Sequence, residues 1–159
     1  MIALDCRSYS KMSRGTHGRD WLRPYGNQGY TFVHEGNVLG CRVALFLLVA
    51  SWRSLVWVLE QPHGSALPDL PRMQFLWSVV QVYTTYFYMG LFKGATPKRH
   101  RVWTNVRRLA EALSTRAGYM SRAEQTACAG QTVKKYTDAR GVKRCVGLKK
   151  ELKESQYQN

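Results

Sequence analysis

The sequence predicts an α/β fold, a partial doubly wound sheet followed by a basic, poorly ordered C-terminal tail. Three observations carry that expectation. Residues 55–59, LVWVL, are a short apolar run rich in β-branched and aromatic residues, too short for a helix of its own, and read as a buried strand. The residues just before it carry apolar side chains at spacings of three and four, and a helix feeding directly into a strand suits a βαβ layer rather than a bundle. From residue 115 onward, ten Lys or Arg and four Asp or Glu fall within 45 residues, with few large apolar side chains to offset the entropy of ordering.

Taken in order, residues 1–35 are polar and punctuated by Gly15, Gly18, Gly26 and Gly29, an irregular segment with at most short elements. The α/β body spans residues 36–114. Asn37 is placed to cap a helix over 38–52, with Val38, Cys41, Leu45, Leu48, Val49 and Trp52 on one apolar stripe and Val43, Phe46 and Leu47 on the other face, so the helix is expected to be covered on more than one side. The strand at 55–59 then stops on Glu60-Gln61-Pro62, because proline fixes φ and donates no ladder hydrogen bond. That leaves a carboxylate at the carboxyl end of a strand, where open α/β sheets bind ligands. Pro62, Gly64, Pro68 and Pro71 enforce a loop; residues 70–81 follow as a second helix and 82–88 as a second strand. A turn over 90–98 leads to a short basic strand at 99–104. Asn105 is placed to cap a third helix over 106–113, with Val106, Leu109 and Leu113 on one face. This order gives part of a Rossmann-like sheet, short of at least two strands. Residues 115–159 form the tail, with a transient helix expected at 151–157.

A chain of 159 residues with 45% apolar side chains supports one domain plus tails. Its 24 Lys and Arg against 10 Asp and Glu give a formal charge of +14, which favours polyanions such as nucleic acid, DNA or RNA, or acidic membrane surfaces. Cys6, Cys41, Cys128 and Cys145 are widely spaced without a CxxC pair, so neither a zinc site nor a disulfide framework is expected. Reduced thiols, and a first stretch without the apolar core of a secretory signal, point to an intracellular protein of the nucleus or cytoplasm. Two stretches require a membrane test. Residues 43–59 contain Arg53, which is costly at the centre of a bilayer. Residues 73–92 are uncharged over about the length a bilayer needs, but Gln74, Ser78, Gln81, Thr84 and Thr85 and a β-type second half weigh against a spanning helix.

Three separated pieces carry candidate chemistry: Cys6 in DCRSYSKMSRGTHGRD, Glu60 in EQPHGS at the strand end, and Arg101 in TPKRHRVWTN on the basic strand. In that order they resemble the catalytic half of the cytosine-5 DNA methyltransferases, whose PCQxFS-type loop, ENV tripeptide and PQxRxR stretch supply cysteine, glutamate and arginine. The segment from Gly36 through Trp52 into the strand likewise resembles the RGxLF helix and strand that precede ENV. The resemblance covers residues 5–106. It implies that Cys6 is the nucleophile toward cytosine C6, that Glu60 holds N3 and that Arg101 supplies a cation near the pyrimidine carbonyl. It also implies a base taken out of the duplex stack by a protein that grips the surrounding phosphates. Asp5 stands where the family has proline, and a neighbouring carboxylate disfavours a thiolate. Gln61-Pro62 stands for Asn-Val, and no FxGxG-type loop precedes Cys6. The expectation is therefore a truncated, catalytically incomplete relative that binds no cofactor by itself, S-adenosylmethionine being held only if the missing half is supplied elsewhere. The alternative is a non-enzymatic nucleic-acid-binding module in which Lys98, Arg99, Arg101, Arg107 and Arg108, with the tail, contact phosphates. A small membrane protein using a helix at 73–92 is the further alternative. No metal is expected.

Overall fold

The computed structural model describes residues 1–94, 96–128 and 133–147. In chain order its elements are β1 (Ile2–Ala3), the one-turn α1 (Arg14–His17), α2 (Thr31–Trp52), β2 (Val58–Pro62), α3 (Pro71–Val79), β3 (Tyr83–Tyr88), β4 (Arg99–Thr104), α4 (Arg107–Ala117), α5 (Arg122–Ala127), β5 (Val133–Thr137) and β6 (Lys143–Gly147), with short 3-10 turns at Lys11–Ser13, Leu67–Asp69 and Met89–Phe92. They fall into two units, Met1–Phe87 with Arg99–Gly118, and Tyr88–Lys98 with the chain from Tyr119 onward.

The first unit is mixed α/β. Its sheet has the order β1-β2-β4-β3. β1 runs parallel to β2 with Ala3 opposite Glu60, and α2 connects the two, so one βαβ crossover is present. β4 runs antiparallel to β2, with Leu59 opposite Trp103 and Gln61 opposite Arg101, which makes the sheet mixed. The interior strand lies three residues later than expected. Ser54 takes a left-handed φ of 55° and Leu55 N–H donates to Ala50 O, so residues 53–57 are spent turning the chain out of α2. The strand therefore continues through Glu60 and Gln61, and Pro62 is its last residue, where a missing N–H costs least. β4 and β3 match the expected strands closely. No helix runs through 73–92: α3 stops at Val79 and the chain becomes a strand at Tyr83, as its β-branched and aromatic residues favour. Among the described residues, the helix long and apolar enough to cross a membrane is α2, 22 residues with a mean hydropathy of 1.5 over its apolar window, a third of which is buried; a core helix meets the same requirement.

α2 begins well before Asn37, and it is not covered on every apolar side as expected: Leu47 of the second face reaches the core, while most of the first stripe does not. Its buried residues are Val33, Gly36, Asn37, Gly40, Ala44, Leu47 and Ala50, whereas Leu45, Phe46, Val49 and Trp52 are exposed. The small residues let neighbours come close. A Cβ on Gly36 would run into the Ser8 side chain, and one on Gly40 into the Tyr9 hydroxyl and Leu70. Tyr9, Ala44, Leu47, Leu59, Leu67, Leu70, Met73, Leu76 and Trp103 pack together as the core, and Trp77 stacks on Trp103 at 5.8 Å.

Residues 1–35 hold the largest fully buried side chain, Arg19. Its guanidinium donates to the carbonyl oxygens of Ser8 (2.7 Å), Pro24 (2.6 Å) and Val33 (3.2 Å) and to Asn37 Oδ1 (2.7 Å), and lies 4.4 Å from the Tyr9 ring centroid. A buried cation is tolerable when every donor is met, and here carbonyl dipoles meet it. Asn37, expected as an external cap, is instead an internal bridge, its Nδ2 donating to Tyr25 O. Burial pushes the Tyr9 hydroxyl well above the ordinary tyrosine pKa, with the Arg19 charge pulling the other way. That hydroxyl donates to Gly36 O.

The second unit replaces part of the expected tail with regular structure. Ser121 and Glu124 form a reciprocal capping box at the start of α5. β5 and β6 pair as an antiparallel hairpin around Gly141, whose φ is 77°. Asp138 accepts from the backbone N–H of Arg140 and Val142 and from Arg144 Nε, closing the turn. Local turn and capping chemistry, rather than a large apolar content, is what builds these elements. The expected helix at 151–157 lies outside the described residues.

Candidate functional site

Each residue of EQPHGS has a definite partner or position. Glu60 lies in β2, and its carboxylate accepts from His100 Nδ1 on β4. A carboxylate only accepts, so the proton sits on Nδ1, and Nε2 of this buried ring has no hydrogen-bond partner. Phe87 stacks on the same ring at 5.3 Å. Gln61 is fully buried: its Nε2 donates to Leu4 O at 2.7 Å, and its Oε1 accepts from Ser65 Oγ at 3.0 Å. Ser65 Oγ accepts in turn from Leu67 N–H, and Ala66 N–H donates to Tyr9 O. The loop after β1 and the loop after β2 are thus joined at the carboxyl ends of two parallel strands.

The opposite end of TPKRHRVWTN secures the start of β2. Thr104 Oγ1 donates to Trp57 O, while Asn105 accepts from Trp57 N–H and donates to Leu55 O. Asn105 is therefore not the cap of α4, which begins after Val106 without a side-chain cap.

Successive residues of a strand point to opposite faces of the sheet. Glu60 and its partner His100 share one face; Gln61 and Arg101, opposite each other in register, share the other. The structure does not bring Glu60 and Arg101 together. Arg101 belongs to the face that carries Leu59 and Trp103 into the core, and beyond those two residues that face continues as a basic ledge. His63 N–H donates to Arg99 O at 3.0 Å, extending the β2–β4 ladder by one bond. The His63 ring lies 5.2 Å from the Tyr86 ring on β3, with the Arg99 guanidinium at 4.3 Å and that of Arg101 at 5.4 Å from the same centroid. Arg101 also stacks 5.6 Å from Trp103, and its Nε is buried without a hydrogen-bond partner. Lys11 completes the group: its stem lies against Gly64, where a Cβ would meet Lys11 Cδ at 2.8 Å. Burial and the charges of Arg99, Arg101 and Lys11 hold the His63 pKa below the ordinary imidazole value. No ion pair among the described residues engages Lys11 or Arg101.

No family model matches the chain, and no curated protein or solved structure is significantly similar to it.

Cys6 is half-buried in the turn after β1, where its carbonyl accepts from Tyr9 N–H and Ser10 N–H; Cys6, Cys41 and Cys128 form no disulfide. Arg107 and Arg108 are exposed in the first turn of α4, and Arg107 pairs with Glu111 at 2.7 Å. Lys98 belongs to the second unit, where its carbonyl accepts from Met89 N–H. Among the described residues no three His, Cys, Asp or Glu side chains gather as a metal site. Lys11, His63 and Tyr86 are functional candidates that sequence reasoning passes over. The signal was present in the alternation: Arg99 and Arg101 on one strand, Gln61 and His63 on the next, fall on one face by the period of two.

Proposed function

We propose that the chain is a non-enzymatic nucleic-acid-binding module that grips phosphates through the ledge of Lys11, His63, Arg99 and Arg101. The observation that carries this reading is the ledge itself: the half-buried Arg99 and Arg101 guanidinium groups lie over the Tyr86 ring beside His63, the exposed Lys11 lies against Gly64, and no carboxylate among the described residues pairs with Lys11 or Arg101. A half-buried guanidinium such as that of Arg101, with no carboxylate partner among the described residues, favours an anion beside it, and a net charge of +14 steers a polyanion toward it. Such contacts add affinity without sequence choice. Titration of duplex DNA at several salt concentrations tests this. The logarithm of affinity should fall linearly with the logarithm of salt, and Arg101→Gln should make the slope shallower by about 0.9. A slope unchanged by Arg101→Gln and Lys11→Gln would refute the ledge as the contact.

A methyltransferase-like, doubly wound fragment is the second reading. The parallel β1–α2–β2 crossover and the packing of the Cys6-bearing loop on the Gln61–Ala66 segment favour it. On this reading the chain alone transfers no methyl group, since Glu60 is engaged by His100 and Arg101 faces away from it. Labelled S-adenosylmethionine with cytosine-containing DNA is the assay, and turnover lost on Cys6→Ser would restore the enzyme.

A further inference from the structure

We propose that a phosphodiester group seats on the ledge beside His63 and that His63 takes up one proton from solvent as it does so, making nucleic-acid binding tighter in mild acid. This rests on the nucleic-acid reading above and adds a regulatory property to the same site. Among the described residues, the groups facing His63 are Lys11 from the 3-10 turn, Arg99 and Arg101 from β4 and the Tyr86 ring from β3. All of the charges among them are positive. Without a bound anion, a proton on His63 would stand beside the like charges of Arg99, Arg101 and Lys11, each of which favours the neutral ring.

A phosphate changes that balance. One negative charge among the side chains screens Arg99, Arg101 and Lys11 from the imidazole and offers an acceptor to its N–H. Protonation and binding then assist each other, and linkage requires the coupling to be reciprocal. Whatever raises the His63 pKa on binding must strengthen binding as pH falls. The ring is well placed for this role, since the His63–Arg99 ladder bond fixes its main chain and Tyr86 backs its side chain. The partnerless Arg101 Nε supplies a second donor in want of an acceptor.

The test uses the full chain and an oligothymidylate, titrated calorimetrically in buffers of different ionisation heat from about pH 8 to about pH 6, the range in which imidazole titrates. Wild type should absorb protons on binding, and affinity should rise as pH falls, by up to about tenfold per pH unit, the limit for one linked proton. The His63 ring proton signal should titrate at higher pH in the complex than in the free protein. His63→Gln should bind more weakly and lose the proton uptake, with its melting curve confirming that it is folded. His34→Gln, an exposed histidine outside the ledge, should keep the uptake. Binding without proton uptake, or uptake that survives in His63→Gln, would overturn the inference while leaving the nucleic-acid reading intact. No binding at any pH would overturn both.

Discussion

Single residues decide more of this fold than its hydrophobic pattern does, and Arg19 is the clearest case. One guanidinium joins the turn at Ser8, the loop at Pro24 and α2 at Val33 and Asn37, so three segments are ordered by one side chain. Arg19→Met would leave these acceptors buried and unmet, and should lower stability by about 3–5 kcal/mol, read as a fall in the urea midpoint. Arg19→Lys should recover little, because a single ammonium cannot span the same acceptors. Arg116→Met, at an exposed site, should stay within about 0.5 kcal/mol; equal midpoints for Arg19→Met and Arg116→Met would disprove the role given to Arg19. His63 makes a prediction of the opposite kind. Its folded pKa lies below the ordinary value, so in the window between the two the unfolded chain binds more protons. Stability is thus unaffected above the ordinary imidazole value and is lost as pH falls from there through the folded value. In unfolding curves collected through that window, His63→Gln should lose less stability than wild type.

At the level of elements, α2 separates what the sequence could reveal from what it could not. A helix leading into an apolar strand was legible, as were α3, β3 and the 99–104 strand, because period and composition agree there. The buried face of α2 was not, because glycine and alanine carry much of it beside Val33 and Leu47, while Leu45, Phe46, Val49 and Trp52 point outward. Close approach by Tyr9 and Leu70 selects that face, and those contacts are distant in sequence. The site divides in the same way. The basic strand and the EQPHGS loop were visible as motifs, but the face each side chain takes depends on the β2–β4 register, which shifted when Ser54 and Leu55 were used to leave the helix. Leu45 and Leu47 test the orientation directly. Leu47→Ala should cost about 2–5 kcal/mol, since Leu47 is 0% exposed, while Leu45→Ala, 60% exposed, should change stability by about 0.5 kcal/mol or less. The reverse ranking in denaturant melts would mean that the core lies on the other face of α2.

For the molecule as a whole, charge predicts two salt dependences of opposite sign. A net charge of +14 on 159 residues makes the folded chain repel itself, because folding draws the same charges closer together. Raising ionic strength from about 0.01 M to about 0.15 M shortens the screening length from about 30 Å to about 8 Å, so the melting midpoint of the free protein should rise. Nucleic acid should do the same by another route at low salt, where a ligand at about 100 times its Kd adds about 2.7 kcal/mol. For a chain of this size that is on the order of 5–10 °C in the midpoint. The two effects part company as salt is added. Screening stabilises the free protein while the released-counterion gain that drives phosphate binding shrinks, so the midpoints with and without oligonucleotide should converge. Scanning calorimetry across a salt series, with and without an oligothymidylate, reads both curves at once. A free-protein midpoint that falls with salt would show that self-repulsion does not limit stability. Parallel curves that never converge would show that the ligand is held by something other than the cations of the ledge.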